Sequence, residues 1–501
     1  MSHTDQPFFM KTTDLYHPKG LYILFFTEMW ERFSYYGMRA LLVLYLVEGM
    51  RIEREAALET YATYTALVYL TPIVGGYMAD RWLGRQRAVL TGGLVMAMGH
   101  FAMAFPDYLY QALGLLVVGN GFFKPNISTL VGNLYDADDP RRDGGFTIFY
   151  MGINLGALLS PLVCGTLGEK VGWHYGFAAA GIGMVIGVLV FAFGQRRLMA
   201  DMRREQAAPF TVRDWLTVIG LSLGCLLLVI TLVGGWPRLE TFWHNLGIWG
   251  RGIIILTVLL PLLPGLRRRD PDAASQHQPL TLQDYRHILA IVILGIFTIL
   301  FWMGFEQAGG TMNLFALENT DRNFFGWEIP ASNFQSLNPL LILILAMPFS
   351  VLFTLTDRSR FALSTPTKMA LGLIILGLGF VLLAIANERS EVVGRVSPLW
   401  LAGVYLLHTV GELFLSPIGL AMVTRLAPLQ VASLMMGVWF TGVAIANYLA
   451  GTLESILMTR HIDLYWFLVT SSFTAGLALL MLTPLIKRLM DDSTSQRSKA
   501  R

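Results

Sequence analysis

The chain has 501 residues, of which 54% are hydrophobic and only 14% are charged, and its formal net charge is +3. Soluble domains carry about 25% charged residues, so this composition excludes an ordinary water-soluble globule and indicates a membrane protein. The small net charge does not indicate nucleic-acid binding, and two cysteines in apolar segments indicate neither a disulfide framework nor a metal site.

Apolar stretches of about 20 residues, the length that crosses a bilayer as a helix, recur along the whole chain. We predict an all-α integral membrane protein with fourteen spans, at residues 20–48, 57–82, 86–105, 108–132, 145–170, 174–197, 213–235, 246–268, 285–317, 335–356, 367–387, 399–427, 431–457 and 464–488. Setting aside the seventh and eighth leaves six spans on each side, a division typical of two-bundle transporters.

This division predicts five segments along the chain. They are a cytoplasmic N-terminal segment (1–19), an N-terminal six-helix bundle (20–197), a linker with two extra helices (198–284), a C-terminal six-helix bundle (285–488) and a cytoplasmic tail (489–501). The extra helices have no charge in their central portions, so we expect them to pack at the side of the molecule, away from any transport path.

The distribution of Lys and Arg predicts the orientation of these spans, because cytoplasmic loops are enriched in both residues. With the N-terminus inside, 25 of the 37 Lys and Arg residues fall in inward segments and 9 in outward loops. The other three, Arg32, Arg39 and Lys124, lie within spans. Both termini are therefore predicted to be cytoplasmic.

The first span contains the sequence "EMWERFSYYGMR", with Glu28, Glu31 and Arg32 about a third of the way along it. A charge at the centre of a membrane helix costs about 2.5–3.5 kcal/mol if it faces lipid. At 100° per residue the polar side chains of this span form one stripe, in which Glu28 and Arg32 make an i,i+4 pair. A purely structural ion pair would leave the second carboxylate without a partner, so we interpret the stripe as the wall of a cavity.

Other spans carry polar and aromatic groups at depths that match this stripe. They are Lys124 in "GFFKPNISTLVG", Tyr150 and Asn154 in "FYMGINLG", Trp302 and Glu306 in "FWMGFEQ", Asn338 in "FQSLNP", Glu412 and Ser416 in "GELFLSP", and Trp439 in "MMGVWF". A single Trp or Tyr in such helices often serves packing or the interfacial belt. Lys124 and Glu412 have no comparable structural explanation.

A rise of 1.5 Å per residue places Arg32 roughly 18 Å, Lys124 roughly 12 Å and Glu412 roughly 22 Å from the cytoplasmic ends of their helices. A cavity between the two bundles would then be positive on one wall and negative on the other. A zwitterion with separated ends suits such a cavity, and a di- or tripeptide, at about 3.5 Å per residue, has a suitable length.

The sequence resembles the proton-dependent oligopeptide transporter family, a branch of the major facilitator superfamily. "EMWERF" matches the family's ExxER motif, "GFFKPNISTLVG" and "FYMGINLG" match two further signatures, and "GELFLSP" matches its tenth-helix pattern. The resemblance covers most of 20–460, and the extra helix pair resembles the prokaryotic branch. It implies the superfamily fold, with twelve core helices plus two, in a bacterial inner membrane, and a chain that functions as a monomer surrounded by lipid.

The resemblance also implies roles for the matching residues. Arg32 and Lys124 would bind the peptide carboxylate, and Glu412, with Asn154 and Asn338, the amino terminus. The pocket would be lined by Tyr36, Tyr69, Tyr150, Trp302, Ser416 and Trp439. Arg39 and Glu306 would form an extracellular gate, and Glu28, Glu31, Arg32 and Glu306 would couple protons to transport.

One feature departs from the family pattern. Some members use a histidine near the start of the second helix, and this chain has no histidine between His17 and His100. Proton coupling is then expected to rest on carboxylates. For His408, one turn before Glu412, we expect an outward packing role, since a histidine on an apolar helix is commonly neutral.

The predicted function is import of di- and tripeptides with protons by alternating access, with no cofactor besides the co-transported protons. The alternative is a proton-coupled carrier of another small solute, either a nitrate-like anion carrier or a drug antiporter, although such relatives typically lose the intact ExxER motif. An intramembrane enzyme needs an activated nucleophile or a metal pair, and the spans contain no HExxH, GxSxG or Cys/His cluster. A scaffold or sensor would leave the opposed charges unexplained.

Overall fold

The computed structural model describes residues 16–136, 139–201, 212–245, 280–357, 359, 362–428 and 431–490. The predicted span 246–268 lies outside the described residues, as do most of the N-terminal segment and residues 491–501. Every other predicted span overlaps a helix of the structure. The all-helical architecture predicted from hydropathy is thus confirmed, while the count of fourteen spans stays a prediction.

The N-terminal half and the linker contain eight helices among the described residues. These are α1 (Lys19–Leu44), α2 (Arg54–Met78), α3 (Arg85–Ala102), α4 (Leu109–Gly132), α5 (Arg142–Ser160), the short α6 (Thr166–Lys170), α7 (Trp173–Asp201) and α8 (Val212–Asn245). Helices α1, α2 and α5 each continue into one π-helical turn, at Tyr45–Gly49, Ala79–Leu83 and Pro161–Gly165 respectively.

The C-terminal half contains seven helices and one small hairpin among the described residues. The helices are α9 (Leu282–Phe305), α10 (Thr311–Glu318), α11 (Leu337–Asp357), α12 (Thr365–Val393), α13 (Pro398–Leu426), α14 (Ala432–Met458) and α15 (Leu464–Met490). The hairpin pairs β1 (Asn323–Phe324) antiparallel with β2 (Trp327–Glu328). Single 3₁₀ segments, Glu306–Gly309 and Ala331–Ser336, precede α10 and α11.

Nine helical stretches of the described residues are long and apolar enough to cross a membrane, and they cover α5 to α15. Helices α1 to α4 are not among the nine. In α1 the charged side chains Glu28, Glu31, Arg32 and Arg39 lower the hydropathy, and all four are buried inside the protein. The cost of placing these charges in lipid therefore does not arise, because the protein itself surrounds them.

Helix packing within each half joins some helices that are neighbours in the chain and others that are far apart in it. In the N-terminal half α1 packs against α5 and α7, and α4 packs against α2 and α3. In the C-terminal half α12 packs against α13 and α15, and α9 packs against α14 and α15. The halves meet where α2 contacts α14 and where α5 contacts α11. The five predicted segment boundaries stay predictions.

Helix α8 packs on the side of the N-terminal half, against α4 and α2. Its contact with α4 is close, because a Cβ atom added to Gly114 would lie 2.6 Å from Leu226 Cδ1. Gly235 interrupts the helix with φ 74° and ψ 170°, a backbone conformation that glycine adopts readily. This half of the extra pair therefore occupies the lateral position expected from its uncharged centre.

The close contact between α2 and α4 depends on Gly75. A Cβ atom at Gly75 would lie 2.1 Å from the Gly121 carbonyl oxygen, whereas one at Gly76 would come no closer than 3.5 Å to the Pro125 side chain. We therefore predict that Gly75→Ala destabilises the protein by about 1–3 kcal/mol, since overpacking against backbone forces the helices apart. The neighbouring Gly76→Ala is the matched control and should leave the melting temperature in detergent nearly unchanged. Equal melting temperatures for the two variants would contradict this account of the helix contact.

Polar contacts join the two halves at one end of the molecule. This end lies opposite the start of α1 at Lys19 and the end of α15 at Met490. Arg54 Nε lies 2.6 Å from Glu454 Oε1, and its Nη1 lies 2.7 Å from Glu318 Oε2. Asn313 Nδ2 donates to the Ala40 carbonyl at 2.8 Å. We call this end the outer end. It is closed in this structure, since side chains of both halves are bonded across it.

Candidate functional site

A cavity of about 190 Å³ lies between the two halves. Ten of the predicted site residues line it: Tyr36, Arg39, Tyr69, Tyr150, Asn154, Trp302, Glu306, Asn338, Glu412 and Ser416. They come from α1, α2, α5, α9, α11 and α13 and from the 3₁₀ turn after α9. Helix α8 contributes no lining residue. The tertiary structure thus brings groups that are up to 380 positions apart in the sequence around one space.

The i,i+4 ion pair predicted between Glu28 and Arg32 is present on α1, and Arg32 also pairs with Glu31. Arg32 Nη2 donates to Glu31 Oε1 at 2.6 Å, and Arg32 Nε donates to the other oxygen of the same carboxylate. The Glu28 carboxylate is farther away, with Oε1 3.2 Å from Arg32 Nε. Arg32 therefore pairs with both carboxylates, and its shorter contacts are with Glu31. Among the described residues Glu28 Oε2 has no hydrogen-bond partner.

Arg32 does not line the cavity itself but lies directly behind its wall. Its guanidinium carbon is 5.1 Å from the centre of the Tyr35 ring and 6.0 Å from that of Tyr36. The guanidinium carbon of Arg39 is 5.8 Å from the same Tyr36 ring. Tyr36 therefore stands between the two arginines and faces the cavity, so movement of this ring would expose Arg32 to a bound molecule.

Lys124 also lies one side chain behind the wall. Its ammonium nitrogen is 4.2 Å from the centre of the Tyr69 ring, which lines the cavity. Among the described residues no carboxylate lies within ion-pair distance of it, whereas Arg32 is bonded to Glu31. A half-buried cation without a counterion is costly unless an anion joins it. Arg32 and Lys124 are the two cations predicted to bind the peptide carboxylate, and Lys124 is the one available for it in this state.

The opposite wall carries a buried carboxylate held by an amide. Asn338 Nδ2 donates to Glu412 Oε2 at 2.9 Å and to Thr409 Oγ1 at 3.0 Å. Glu412 lines the cavity and has no cation within ion-pair distance among the described residues. A carboxylate with only neutral donors is suited to receive an ammonium group.

Aromatic and amide groups occupy the wall between the charged poles. The Trp302 and Phe305 rings meet edge to face with their centres 5.2 Å apart. Asn154 Nδ2 donates to the Tyr150 carbonyl at 3.0 Å, which orients the amide against its own helix. Tyr150 is 42% exposed, so this part of the cavity is open. These side chains offer apolar surface and a few polar atoms, a composition common in sites for small molecules.

The predicted gate residues meet across the halves. Arg39 Nη2 and Glu306 Oε2 form a buried ion pair, and Arg39 Nε donates to the Tyr61 hydroxyl at 2.6 Å. Tyr61 in turn needs Gly309, because a Cβ atom there would lie 1.8 Å from its hydroxyl oxygen. Glu306 stands where α9 breaks into a 3₁₀ turn, so a small backbone change can move its carboxylate.

Two further predictions differ from the structure. Trp439 is not among the lining residues of the cavity; its ring packs so closely on Gly419 that a Cβ atom there would lie 2.7 Å from Trp439 Cζ2. His408 does not point outward: it is 2% exposed, its ring centre is 4.7 Å from that of Phe380, and it lines the cavity. The apolar sequence around His408 does not show that Phe305 and Phe380, on two other helices, pack against its ring.

The sequence reasoning missed several lining residues, among them Phe305, Gln335 and Tyr405. Helical spacing carries a signal for each. Tyr405 and His408 lie seven and four positions before Glu412, Phe305 lies three after Trp302, and Gln335 lies three before Asn338. Residues at i, i+3, i+4 and i+7 share a helix face, so extending each motif by two turns would have found them.

The model of the POT family matches residues 86–247 and 270–466 of this chain. The chain belongs to the POT family. A protein of Bacillus subtilis described as uncharacterized transporter YclF is 37% identical over 488 residues, which is 95% of each chain. The di-/tripeptide transporter of Lactococcus lactis subsp. lactis is 34% identical over 95% of this chain and 97% of its own.

The fold of this POT family chain also matches solved structures. The crystal structure of a peptide transporter POT in complex with sulfate is 36% identical and covers 97% of both chains with a TM-score of 0.78. The helical transporter fold expected from the sequence is confirmed by this likeness.

Proposed function

We propose that this POT family protein is a proton-coupled symporter that imports di- and tripeptides. The observation that carries the proposal is the pair of unlike charges on opposite sides of one cavity, Lys124 without a counterion and Glu412 with only neutral donors. The name of the Lactococcus lactis relative, a di-/tripeptide transporter, supports the same substrate class.

A short peptide would bind with its carboxylate toward Lys124 and its amino terminus toward Glu412. Asn154 and Asn338 would add polar contacts near the ammonium group. Arg32 would join the carboxylate site only after loosening its bonds with Glu31, so its affinity for peptide would depend on that carboxylate. Tyr36, Tyr69, Tyr150, Trp302 and Ser416 would contact the peptide backbone and side chains.

Two carboxylate sites would handle the proton. Protonation of Glu306 removes the charge that holds Arg39 and would release the closed outer end. Glu28, with one oxygen unpartnered among the described residues, would accept a proton beside the Glu31–Arg32 pair. Because a buried carboxylate without its cation favours the neutral form, the return of each arginine would expel the proton.

Alternating access would follow from rocking of the two halves about the cavity. We place the outer end outside the cell and both termini in the cytoplasm of a bacterium, since the Lys and Arg residues concentrate on the terminal side. The protein would work as a monomer in lipid and use no cofactor apart from the co-transported protons.

Uptake of labelled dialanine into proteoliposomes under an imposed inward proton gradient tests this function. We expect accumulation that a protonophore abolishes and that unlabelled di- and tripeptides compete away. Excess nitrate or free alanine should compete little. Uptake that is indifferent to the gradient, or that nitrate or a cationic drug displaces and peptides do not, would refute peptide symport and favour the alternative carrier functions.

A further inference from the structure

Glu169, on the short helix α6, makes contacts across the two halves that the charged motifs did not indicate. Its carboxylate accepts hydrogen bonds from the Ala331 backbone N–H at 2.8 Å, the Ser332 N–H at 2.9 Å and the Ser332 hydroxyl at 2.6 Å. Ala331 and Ser332 are completely buried, and only 9% of the Glu169 side chain is exposed. One carboxylate of the N-terminal half thus holds three donors of the other half.

These donors are the first groups of the 3₁₀ segment Ala331–Ser336, which leads directly into α11. The first N–H groups of a helix have no partner within it and need a cap. Pro330 stands at the capping position and provides no side-chain hydrogen bond. Glu169 therefore supplies the cap from the opposite half, and its negative charge also suits the positive end of the helix.

The capped segment carries part of the cavity wall. Gln335 lies within it and Asn338 lies in the first turn of α11, and both line the cavity. Ser336, in the same segment, donates from its hydroxyl to the Leu158 carbonyl of α5 at 2.9 Å. The position of this end of α11 therefore determines both the closure between α5 and α11 and the place of the amide that holds Glu412.

The cations near Glu169 pair more closely with another carboxylate, Glu328. Arg322 Nη1 is 3.8 Å from Glu169, but Arg322 Nη2 pairs with Glu328 at 2.8 Å, as does Lys170 Nζ. The hydrogen bond from Lys170 holds the pKa of Glu328 below its usual range. Since Glu328 has these two cations, the charge of Glu169 is satisfied mainly by the three donors of the cap. Separation of Glu169 from Ala331 and Ser332 leaves a carboxylate and two backbone N–H groups that need water as a hydrogen-bond partner.

We propose that Glu169 is a positioning residue that locks the outer end of the transporter by capping α11 from the opposite half. The lock is separate from the Arg39–Glu306 pair and from the Arg54 contacts. It rests on the proposed function, because it must open whenever the cavity faces outward. In the closed state it also keeps Asn338 in place beside Glu412.

Distances between spin labels on the outer end test the lock in the full-length protein without peptide or gradient. Phe105→Cys and Val392→Cys place labels on exposed positions of the two halves, away from the cap. Cys225 is changed to Ser in this background, and Cys164 stays because it is fully buried. We expect Glu169→Ala to raise the ratio of long to short distances about tenfold or more, the effect of losing hydrogen bonds to a charged group.

Matched variants separate capping from charge. Glu169→Gln keeps one oxygen acceptor and should produce a smaller shift than Glu169→Ala. Glu48→Ala removes a carboxylate that is bonded to Arg51 within the N-terminal half, and it should produce no shift. Ser332→Ala removes one donor and should produce a small shift in the distances. This variant keeps the test usable if Glu169→Ala fails to fold.

An unchanged distance distribution in Glu169→Ala would overturn the lock. Equal shifts in the Gln and Ala variants would overturn capping as its mechanism, since they would assign the effect to charge alone. The distances are measured without transport, so they remain interpretable even if the protein fails to accumulate dialanine. That failure would refute the proposed function and not the lock.

Discussion

Glu306→Gln is expected to reduce proton-driven accumulation of dialanine strongly and to retain peptide exchange. Glutamine keeps the size of the side chain and one acceptor for Arg39, but it can neither hold the charge of the ion pair nor take up a proton. Uphill uptake should fall about 5- to 150-fold, the usual size of a coupling between two sites. Counterflow of labelled against unlabelled dialanine, which needs no net proton movement, should stay within a few-fold of the unchanged protein.

Glu318→Gln is the matched control for this prediction. Glu318 also reaches across to the N-terminal half, through Arg54, and it does not line the cavity. It should therefore retain uptake that responds to the gradient. Uphill accumulation by Glu306→Gln at the normal rate would count against Glu306 as a coupling group and shift that role to the cluster on α1.

Lys124→Gln is expected to raise the KM for dialanine at least about 30-fold, because removing one partner of a buried charge pair costs about 2 kcal/mol or more. The loss of binding should be large even though Lys124 lies one side chain behind the cavity wall. Arg32 is bonded to Glu31 in this state, so Lys124 is left as the cation available to the peptide carboxylate. Uptake kinetics at saturating proton gradient measure the effect.

A dipeptide whose carboxylate is converted to an amide tests whether Lys124 binds the peptide carboxylate. The unchanged protein should discriminate strongly between dialanine and its amide, whereas Lys124→Gln should bind the two about equally poorly. Lys487→Gln, which removes an exposed lysine at the end of α15, should behave like the unchanged protein. If Lys124→Gln kept full discrimination, the carboxylate site would lie elsewhere.

Local patterns in the sequence predicted the helices well because a span depends on its own composition. Hydropathy over about 20 residues located every predicted span that the structure describes, and the 100° rotation placed Glu28, Arg32, Tyr36 and Arg39 on one face. Neither inference needs knowledge of a distant residue. The same reasoning predicted that the charged stripe lines a cavity; Tyr36 and Arg39 line it, whereas Glu28, Glu31 and Arg32 are buried and are not among its lining residues.

Pairing within the site could not be predicted in the same way. Helical rotation predicted the Glu28–Arg32 pair, whereas the additional, shorter contacts of Arg32 with Glu31 depend on side-chain torsions, which a helical wheel does not contain. His408 was misjudged because its surroundings are supplied by Phe305 and Phe380, on two other helices. Glu169 carries no motif at all, since its partners are backbone N–H groups 162 and 163 positions later.

By itself, the sequence determined that this chain is a bundle of apolar helices with a few charges too costly to face lipid, and that all the cations among them lie in the N-terminal half. Only the tertiary structure decided which charges meet, which stay without a partner and which end of the molecule is closed. The physical reason is that hydropathy and helical periodicity act over neighbouring residues. Ion pairs, caps and cavities depend instead on distances between segments that are hundreds of residues apart in the chain.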